Sequence, residues 1–360
     1  NQINEKEEYR LVTIKQENLK HEDKWGRFLW APSVYWSIMK EASLVPLGDL
    51  GKISRGLTTG ANRFFYFKED QEWEEWGIDP KFIRPLLKHH AEMEFTSLQE
   101  VELTWSVLDV DWFVDEHLED SADSEDAKEA LEEEGYLNLK KYIEWGEDKP
   151  QEFNRRRSFE EEDIWFNLGD LPTPPLLLAK EYWRDLVTPY NEAKATIDQR
   201  LYGIWVGEGV DTEILGGILN SSLYALMREM HGRNEQGQGM NRNTLTVYEA
   251  KDLPVPMLRS MEDVEGDNIR EAFRTLMKTE RASIDTEEAT NELDRAVMSA
   301  IGMESRTEDM QEAVELLLQV REEGAGEMTD ILVGSGQELE TSLKGARRIG
   351  GNKGQIELSL

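Results

Sequence analysis

A loop from Ser54 to Arg63 is rich in side chains of the types that read nucleic-acid bases. Arginine donates two hydrogen bonds to a guanine edge, asparagine pairs with adenine, and threonine bonds to bases or phosphate. The glycines Gly56 and Gly60 allow the backbone to approach another surface closely. An unliganded polar hairpin loop is the alternative. The predicted nucleic-acid contacts are Arg55, Thr58, Thr59, Asn62 and Arg63.

A second donor-rich stretch, from His231 to Asn243, follows a predicted helix. Its amide and guanidinium groups suit contacts to a groove or to the sugar-phosphate backbone equally well. A surface loop without a ligand is the alternative. The predicted contacts are Arg233, Asn234, Gln236 and Arg242.

Isolated basic residues provide further candidates. Arg155 and Arg156 belong to an arginine triplet that either contacts phosphate or neutralises the acidic residues around it. Lys180 ends a predicted strand, a suitable place for a side chain that faces phosphate. The run from Lys88 to His90 is a further candidate.

The sequence contains no recognisable catalytic site. A chain that modifies a base itself, for example by methyl transfer, would be expected to carry a glycine-rich cofactor turn and a short Pro-Pro-aromatic turn that holds the flipped base. The one Pro-Pro pair lies between Thr173 and Leu176, which cannot stack on a base, and we interpret it as the entry to a strand. Too few residues follow Gly334-Ser-Gly336 to complete a cofactor-binding sheet. We predict no catalytic and no metal-binding residues, although a nuclease with carboxylate-bound metal stays an alternative.

The charge is strongly negative, at -33 from 74 acidic and 41 basic residues. Three explanations compete: a basic partner, a small basic face on an acidic surface, or adaptation to high salt. We favour salt adaptation, and hence a halophilic microbe, because the acidic residues are spread along the whole chain. At molar salt the Debye length is about 3 Å, so an acidic surface no longer repels DNA.

The chain has no cysteine, which excludes disulfides, thiolate zinc sites and cysteine nucleophiles. It has no signal peptide and no apolar segment long enough to cross a membrane, so we expect a cytoplasmic protein without a membrane partner. Because it begins with Asn1, we expect it to be part of a longer protein.

The pattern of elements predicts an α+β fold: a mixed, strand-rich domain with helices, followed by a small helical C-terminal unit. Helices are predicted over 34–42 and 213–230 and strands over 47–53, 64–67, 176–179 and 201–206. The predicted divisions are a linking segment at 1–45, the strand-rich domain at 46–258 with an acidic insertion near 108–135, a helical unit at 259–325 and a polar tail at 326–360.

The order of several motifs resembles the target-recognition region of TaqI-type adenine-specific DNA methyltransferases. Gly56, Thr59, Gly60, Asn62 and Phe64 match the family's Gly-Ile-x-Thr-Gly-x-Asn-x-Phe pattern. The resemblance covers about residues 47–322, and its later motifs are Leu219-Asn-Ser-Ser222, Gly232-Arg233, Leu253-Pro-Val-Pro256, Glu292-Leu-Asp-Arg295 and Ile301-Gly302.

The resemblance implies a region that binds double-stranded DNA in a restriction-modification or phage-defence system. It also implies that a catalytic domain using S-adenosylmethionine lies before residue 1 or in another subunit, since its motifs are missing here. Two alternatives are a standalone type I-like specificity subunit and a salt-adapted protein-interaction module that does not bind DNA.

Overall fold

The computed structural model describes residues 2–6, 9–13, 27, 30–69, 71–149, 164–182, 186–235, 242–258, 263–323, 346–348 and 356–358. Their contacts divide the chain into two compact units. The central unit comprises Ile53–Ala179 and Thr188–Trp205. The flanking unit comprises Asn1–Lys52, Lys180–Val187 and Val206–Leu360.

Helices and strands alternate irregularly along the chain, which confirms the predicted α+β class. The helices are α1 (Ser33–Glu41), α2 (Asn62–Phe65), α3 (Gln71–Trp76), α4 (Asp111–His117), α5 (Ser124–Glu133), α6 (Leu137–Glu147), α7 (Thr212–Leu219), α8 (Ser222–His231), α9 (Val247–Lys251), α10 (Asp263–Arg281), α11 (Glu287–Ala300) and α12 (Thr307–Glu323). Short 3₁₀ turns are Leu47–Asp49, Pro80–Phe82, His90–Glu92, Glu100–Glu102 and Glu304–Arg306.

The strands are short, and most of them pair with segments distant in the sequence. They are β1 (Gln2–Lys6), β2 (Tyr9–Thr13), β3 (Leu44–Pro46), β4 (Gly51–Arg55), β5 (Tyr66–Lys68), β6 (Ile83–Leu87), β7 (Ser97–Leu98), β8 (Trp105–Leu108), β9 (Leu176–Ala179), β10 (Glu181–Tyr182), β11 (Tyr190–Asn191), β12 (Thr196–Ile197), β13 (Leu201–Val206), β14 (Arg233–Glu235), β15 (Arg242–Thr244), β16 (Pro254–Pro256), β17 (Ala346–Arg348) and β18 (Ile356–Leu358).

Two mixed sheets form the central unit. One has the strand order β4-β13-β9-β11-β7 and the other has the order β12-β6-β8-β5. Strand β13 is antiparallel to β9, with Leu201 opposite Ala179, and β12 is parallel to β6. The strands β9 and β13 are those predicted over 176–179 and 201–206, and both are largely buried because their side chains are apolar on both faces.

Aromatic side chains fill the larger core of the central unit. The ring of Phe64 stacks on that of Tyr142 at a centroid distance of 4.9 Å and contacts Trp165 at 4.7 Å. The acidic stretch near 108–135 contributes to this core, because Phe113 and Leu131 are buried in it while the acids of α5 are mostly exposed. The helices of this stretch are therefore amphipathic, with apolar side chains packed in the core and most acidic side chains facing solvent.

The flanking unit packs its C-terminal helices on α7 and α8. A side chain added at Gly217 of α7 would lie 2.8 Å from Ile269 and 3.2 Å from Phe273, both on α10. Glycine thus allows the two helices to approach closely. Because of such contacts, residues from Val206 onward belong to the same unit as the C-terminal helices. The sequence had predicted that residues up to 258 belong to the strand-rich domain. The unit also contains the sheet β10-β15-β14 and the pair β16-β3.

The helix predicted over 213–230 is interrupted at Asn220 and Ser221. The Asn220 side chain donates to Gly216 O at 2.8 Å, and the Ser221 hydroxyl donates to Ile218 O at 2.7 Å. Short polar side chains compete with the helical backbone for hydrogen bonds, so they end one helix and begin the next. Ser221 is in fact the N-cap of α8, with φ -89° and ψ 159°.

Two predicted strands begin later than expected. Residues Leu47–Asp49 form a 3₁₀ turn, and the strand predicted over 47–53 begins at Gly51. The strand predicted over 64–67 begins at Tyr66, because the N–H groups of Phe64 and Phe65 bond to Ala61 O and complete a helical turn. The helix predicted over 34–42 is confirmed as Ser33–Glu41. No helix of the described residues is long and apolar enough to cross a membrane.

Candidate nucleic-acid interface

The loop that follows β4 lies directly against the backbone that leads into β13. Leu57 N donates to Ile197 O at 2.7 Å, and Gln199 N donates to Leu57 O at 3.0 Å. A Cβ atom at Gly56 would lie 2.1 Å from Ile197 O and 2.6 Å from Asp198 O. Only glycine permits this approach, so the first glycine of the sequence pattern has a structural role.

Three further residues of the pattern, Thr59, Gly60 and Asn62, close the loop upon itself. The Thr59 hydroxyl is completely buried, donates to Asn62 Oδ1 and accepts a hydrogen bond from Ala61 N at 3.1 Å. Gly60 has φ 68°, a left-handed conformation that glycine adopts without strain. Phe64 then anchors the loop in the aromatic core, and its carbonyl accepts from Tyr142 Oη at 2.6 Å. Thr59 and Asn62, both predicted contacts, are therefore bonded within the loop.

The remaining predicted residues of the loop point to solvent. Arg55, Thr58 and Arg63 are exposed. Neither arginine forms an ion pair with any residue that the structure describes. Thr58 Oγ1 donates to Gln199 Oε1 at 3.3 Å, which links the loop to the turn before β13. The loop thus consists of a rigid internal frame and a set of exposed donors.

The turn before β13 contains Gln199 and Arg200. These two residues lie with other polar and basic side chains in a group that we call the basic surface, which consists of Thr58, Lys88, His89, Gln199 and Arg200. The Arg200 side chain is 68% exposed; its Nη1 lies 3.5 Å from His89 Nδ1 and its Nε lies 4.0 Å from Asp198 Oδ1. Lys88 Nζ lies 3.0 Å from the ring centroid of Trp105. Parallel pairing of β12 with β6 brings these segments together, because Ile197 lies opposite Leu87.

Buried acidic and aromatic groups orient the basic surface. Asp198 is 2% exposed and accepts from Tyr66 Oη at 3.1 Å and from Arg200 N at 3.0 Å. Burial, together with the Asp198 carboxylate, raises the pKa of Tyr66 far above its usual range, so the phenol stays protonated and donates. Burial lowers the pKa of Lys88, and the Arg200 charge lowers it further, whereas Asp198 raises it.

Glu92, a second acidic group near the basic surface, accepts hydrogen bonds from backbone and hydroxyl donors. It accepts from Lys88 N at 3.1 Å and from His89 N at 3.0 Å, and also bonds to the Thr104 hydroxyl at 2.8 Å. Its charge is therefore partly balanced by local N–H and O–H dipoles. Burial lowers the pKa of His89, and Glu92 opposes this effect.

The second predicted site forms the hairpin of β14 and β15 in the flanking unit. Arg233 Nε lies 2.7 Å from Glu249 Oε1, and Arg242 Nη1 lies 2.7 Å from Glu181 Oε2. The Asn234 side chain is exposed, and its Oδ1 accepts from Asn243 Nδ2 at 2.8 Å. The two arginines are thus paired with carboxylates, and the asparagine is bonded to its strand neighbour.

The predicted contacts that the structure describes lie in both units. Lys180 is exposed in the flanking unit, just after β9, as the sequence predicted. Arg155, Arg156 and Gln236 lie outside the described residues. The Arg55–Arg63 loop belongs to the central unit and the Arg233–Arg242 hairpin to the flanking unit. Among the described residues, no group of three His, Asp or Glu side chains is placed to hold a metal ion.

Gln199 and Arg200 were missed by the sequence interpretation. They follow a buried strand in the run Asp198-Gln-Arg200, which in a chain of net charge -33 is a signal comparable to that of Arg55. Nothing in the local sequence shows that this turn meets Thr58, because the contact depends on pairing between segments more than a hundred residues apart.

Comparison with known proteins identifies the family. A family model described as the C-terminal domain of the Type II methyltransferase M.Eco57I matches residues 22–298, and no curated protein matches the chain. The type IIG restriction endonuclease BpuSI has a similar structure, with a TM-score of 0.58 and 16% identity over 80% of this chain and 33% of that one. For the type IIL restriction-modification enzyme MmeI in complex with DNA, the TM-score is 0.46 and the identity 15%, over 77% of this chain and 37% of that one.

This chain therefore spans about a third of the length of those two enzymes. The similarity to BpuSI supports a shared fold. The match of the family model to most of the chain confirms the resemblance to the target-recognition region of a methyltransferase. The chain belongs to the family of C-terminal domains represented by the Type II methyltransferase M.Eco57I.

Proposed function

We propose that the chain is the DNA-specificity region of an adenine-specific DNA methyltransferase in a restriction-modification or phage-defence system. Family membership supports the methyltransferase context. The observation that carries DNA binding is the linked set of exposed donors in the central unit, where Thr58 bonds to Gln199 and Arg200 lies against His89. Donors of these types bind phosphate oxygens and base edges.

The surroundings of Arg200 support its proposed role as a DNA contact. Arg200 Nε lies 4.0 Å from the buried Asp198 carboxylate, and the Arg200 side chain is 68% exposed. A planar, exposed donor beside a buried carboxylate suits bidentate hydrogen bonding to guanine or phosphate. Arg55 and Arg63 supply further positive charge from the adjacent loop.

Methyl transfer itself is proposed for another part of the enzyme. There, a catalytic domain with S-adenosylmethionine would flip the target adenine and methylate it while this region holds the duplex. The greater length of BpuSI, of which this chain covers 33%, supports a catalytic domain in the same polypeptide rather than a separate subunit.

DNA binding is tested with the full chain and a short random-sequence duplex over a range of KCl concentrations. Arg55→Ala, Arg63→Ala and Arg200→Ala are each expected to weaken binding. If the lost contact is to a phosphate, the slope of log affinity against log salt falls by about 0.9. Arg84→Ala is the matched control, because Arg84 lies in the same unit, is 53% exposed and pairs with Asp109.

The control variant should bind like the wild type. Absence of duplex binding by the wild-type chain at every salt concentration would overturn the proposed function. Equal affinity of the wild type and the Arg55, Arg63 and Arg200 variants would leave DNA binding in place but remove the basic surface and the Arg55–Arg63 loop from it.

A further inference from the structure

The Asn243 side chain is the centre of a buried hydrogen-bond network in the flanking unit. Asn243 and Arg228 are both completely buried. Arg228 Nε donates to Asn243 Oδ1 at 3.3 Å, and Arg228 Nη2 donates to Lys180 O at 3.1 Å. Asn243 Nδ2 donates to Arg228 O at 3.2 Å and to Asn234 Oδ1 at 2.8 Å. One amide thus joins the end of α8 to both strands of the hairpin.

Gly232 makes room for this network. A Cβ atom at this position would lie 2.2 Å from Asn243 Oδ1 and 2.6 Å from Arg228 O. The glycine between α8 and β14 therefore lets the amide reach the last turn of the helix. The pairing of Asn234 with Asn243 in the antiparallel register then places the two side chains next to each other.

The chemistry of arginine fixes the orientation of both amides. A guanidinium has only donors, so the Asn243 atom that faces Arg228 Nε is the carbonyl oxygen. The Asn243 NH₂ group must then face Arg228 O and Asn234, and the Asn234 atom that receives it must be its own carbonyl oxygen. The Asn234 NH₂ group is left as the outward part of an exposed side chain, and no described residue accepts from it.

We infer that Asn243 and Arg228 are positioning residues that hold Asn234 as a hydrogen-bond donor to an acceptor atom of duplex DNA. The inference rests on the proposed function. Bidentate pairing of asparagine with adenine uses the carbonyl and the NH₂ group together. Because the Asn234 carbonyl already accepts from Asn243, the outward group suits a phosphate oxygen or an acceptor atom on a base edge.

The charged neighbours of Asn234 favour this assignment. Arg233 and Arg242, which flank it on the two strands, are held by Glu249 and Glu181. Their charges are partly compensated, whereas the Asn234 NH₂ group needs no counter-ion and is already oriented. An oriented donor binds its acceptor with a smaller loss of side-chain entropy than a mobile one.

The first test replaces the donors of Asn234. Asn234→Asp is isosteric, removes both N–H groups and places a negative charge at the acceptor, so binding to a random-sequence duplex should weaken about tenfold or more. Asn234→Ala should weaken binding less. Asn268→Asp is the matched control, because Asn268 is exposed on α10 in the same unit and undergoes the same change.

Selection from a random duplex pool then distinguishes the two sources of the acceptor. A base-edge contact predicts that Asn234→Ala loses a preference at one position of the selected sequence. A phosphate contact predicts equal loss across all sequences. If Asn234→Asp binds as tightly as Asn268→Asp while the wild type binds well, this inference is wrong and the proposed function stands. If the wild type does not bind, the proposed function fails first.

A double-mutant cycle tests the positioning role of Asn243. Asn243→Asp keeps an acceptor for Arg228 but loses both donors, so it should weaken DNA binding in the wild-type background and have no further effect in the Asn234→Ala background. Equal losses in both backgrounds would show that Asn243 does not act through Asn234. Circular dichroism checks folding; if Asn243→Asp does not fold, the Asn234 variants alone decide the donor assignment.

Discussion

The hydroxyl of Ser222 donates to Asp294 Oδ2 at 2.6 Å, and the backbone N–H of Ser222 donates to Asp294 Oδ1 at 2.7 Å. Asp294 is completely buried and also accepts from Gln311 Nε2 at 2.8 Å. Three helices, α8, α11 and α12, thus share one carboxyl group. The Leu-Asn-Ser-Ser motif and the Glu-Leu-Asp-Arg motif, which lie about seventy residues apart, are joined by this contact.

Asp294→Ala is expected to lower the free energy of unfolding of the flanking unit by about 2–3 kcal/mol, since it removes a completely buried carboxyl group that accepts hydrogen bonds from Ser222 and Gln311. Denaturation with urea measures the change. Glu292→Ala, at an exposed position on the same helix, is the control and should change the free energy by less than about 0.5 kcal/mol. Similar losses in the two variants would contradict the role of Asp294.

Asp211 is expected to stabilise the protein in a pH-dependent way. It caps α7 by accepting from Glu213 N and Ile214 N, each at 2.9 Å, and lies 3.0 Å from Arg270 Nη2. Partial burial raises its pKa, but these hydrogen bonds outweigh that effect, and the pKa lies below its usual range. The carboxylate is therefore more acidic in the folded state than in the unfolded state.

The lowered pKa of Asp211 in the folded state sets the pH range in which its charge stabilises the protein. The stabilisation by the Asp211 charge is complete above the unfolded pKa of about 3.9 and is lost as the pH falls through the folded pKa. Asp211→Asn keeps an oxygen at the cap but removes the charge. The wild type should therefore be more stable than the variant by about 0.5–1 kcal/mol at neutral pH, because the charge interacts with the helix dipole and with Arg270, and the difference should vanish in acid. A difference that does not change with pH would contradict this assignment.

The parts of the fold that follow from local pattern were predictable. Strands 176–179 and 201–206 are continuous apolar runs, and both were found at those positions. The break at Asn220–Ser221 was not predicted, since the apolar periodicity continues through it and only the side-chain hydrogen bonds reveal it. The grouping of residues after Val206 with the C-terminal helices depends on long-range packing that periodicity does not encode.

The candidate site was also predictable only in part. Residue types and the family pattern selected the Arg55–Arg63 loop, but they could not separate the exposed donors from residues that hold the loop. Thr59 and Asn62 have the chemistry of base contacts, yet they bond to each other because the chain turns at Gly60. Arg200 could not be joined to the loop from sequence, since pairing between distant strands brings them together.

Gly56→Ala is expected to separate the loop from the turn before β13. The added methyl group would lie 2.1 Å from Ile197 O, so the hydrogen bond from Leu57 N to that oxygen, now 2.7 Å, cannot persist. We expect a loss of about 2–4 kcal/mol in unfolding free energy, as for other substitutions that force backbone apart, together with weaker DNA binding. Urea denaturation and duplex binding measure the two effects.

Thr58→Ala is the control for this variant. Thr58 is exposed in the same loop and loses only its hydrogen bond to Gln199, so its unfolding free energy should stay within about 1 kcal/mol of the wild type. Wild-type stability of Gly56→Ala would mean that the loop does not lie against Ile197 in solution.

Added salt is expected to raise the melting temperature of the protein. Mutual repulsion among the charges of a chain at -33 opposes the compact state, and KCl between about 0.1 M and 1 M shortens the Debye length from about 10 Å to about 3 Å. Salt also weakens exposed ion pairs such as that of Arg274 with Glu213, but isolated exposed pairs contribute little to stability, so relief of repulsion should dominate. Sucrose at matched osmolality is the control, because it stabilises by exclusion without screening charge. A melting temperature that rises in sucrose but falls or stays constant in KCl would contradict salt adaptation and would favour a basic partner as the reason for the acidic surface.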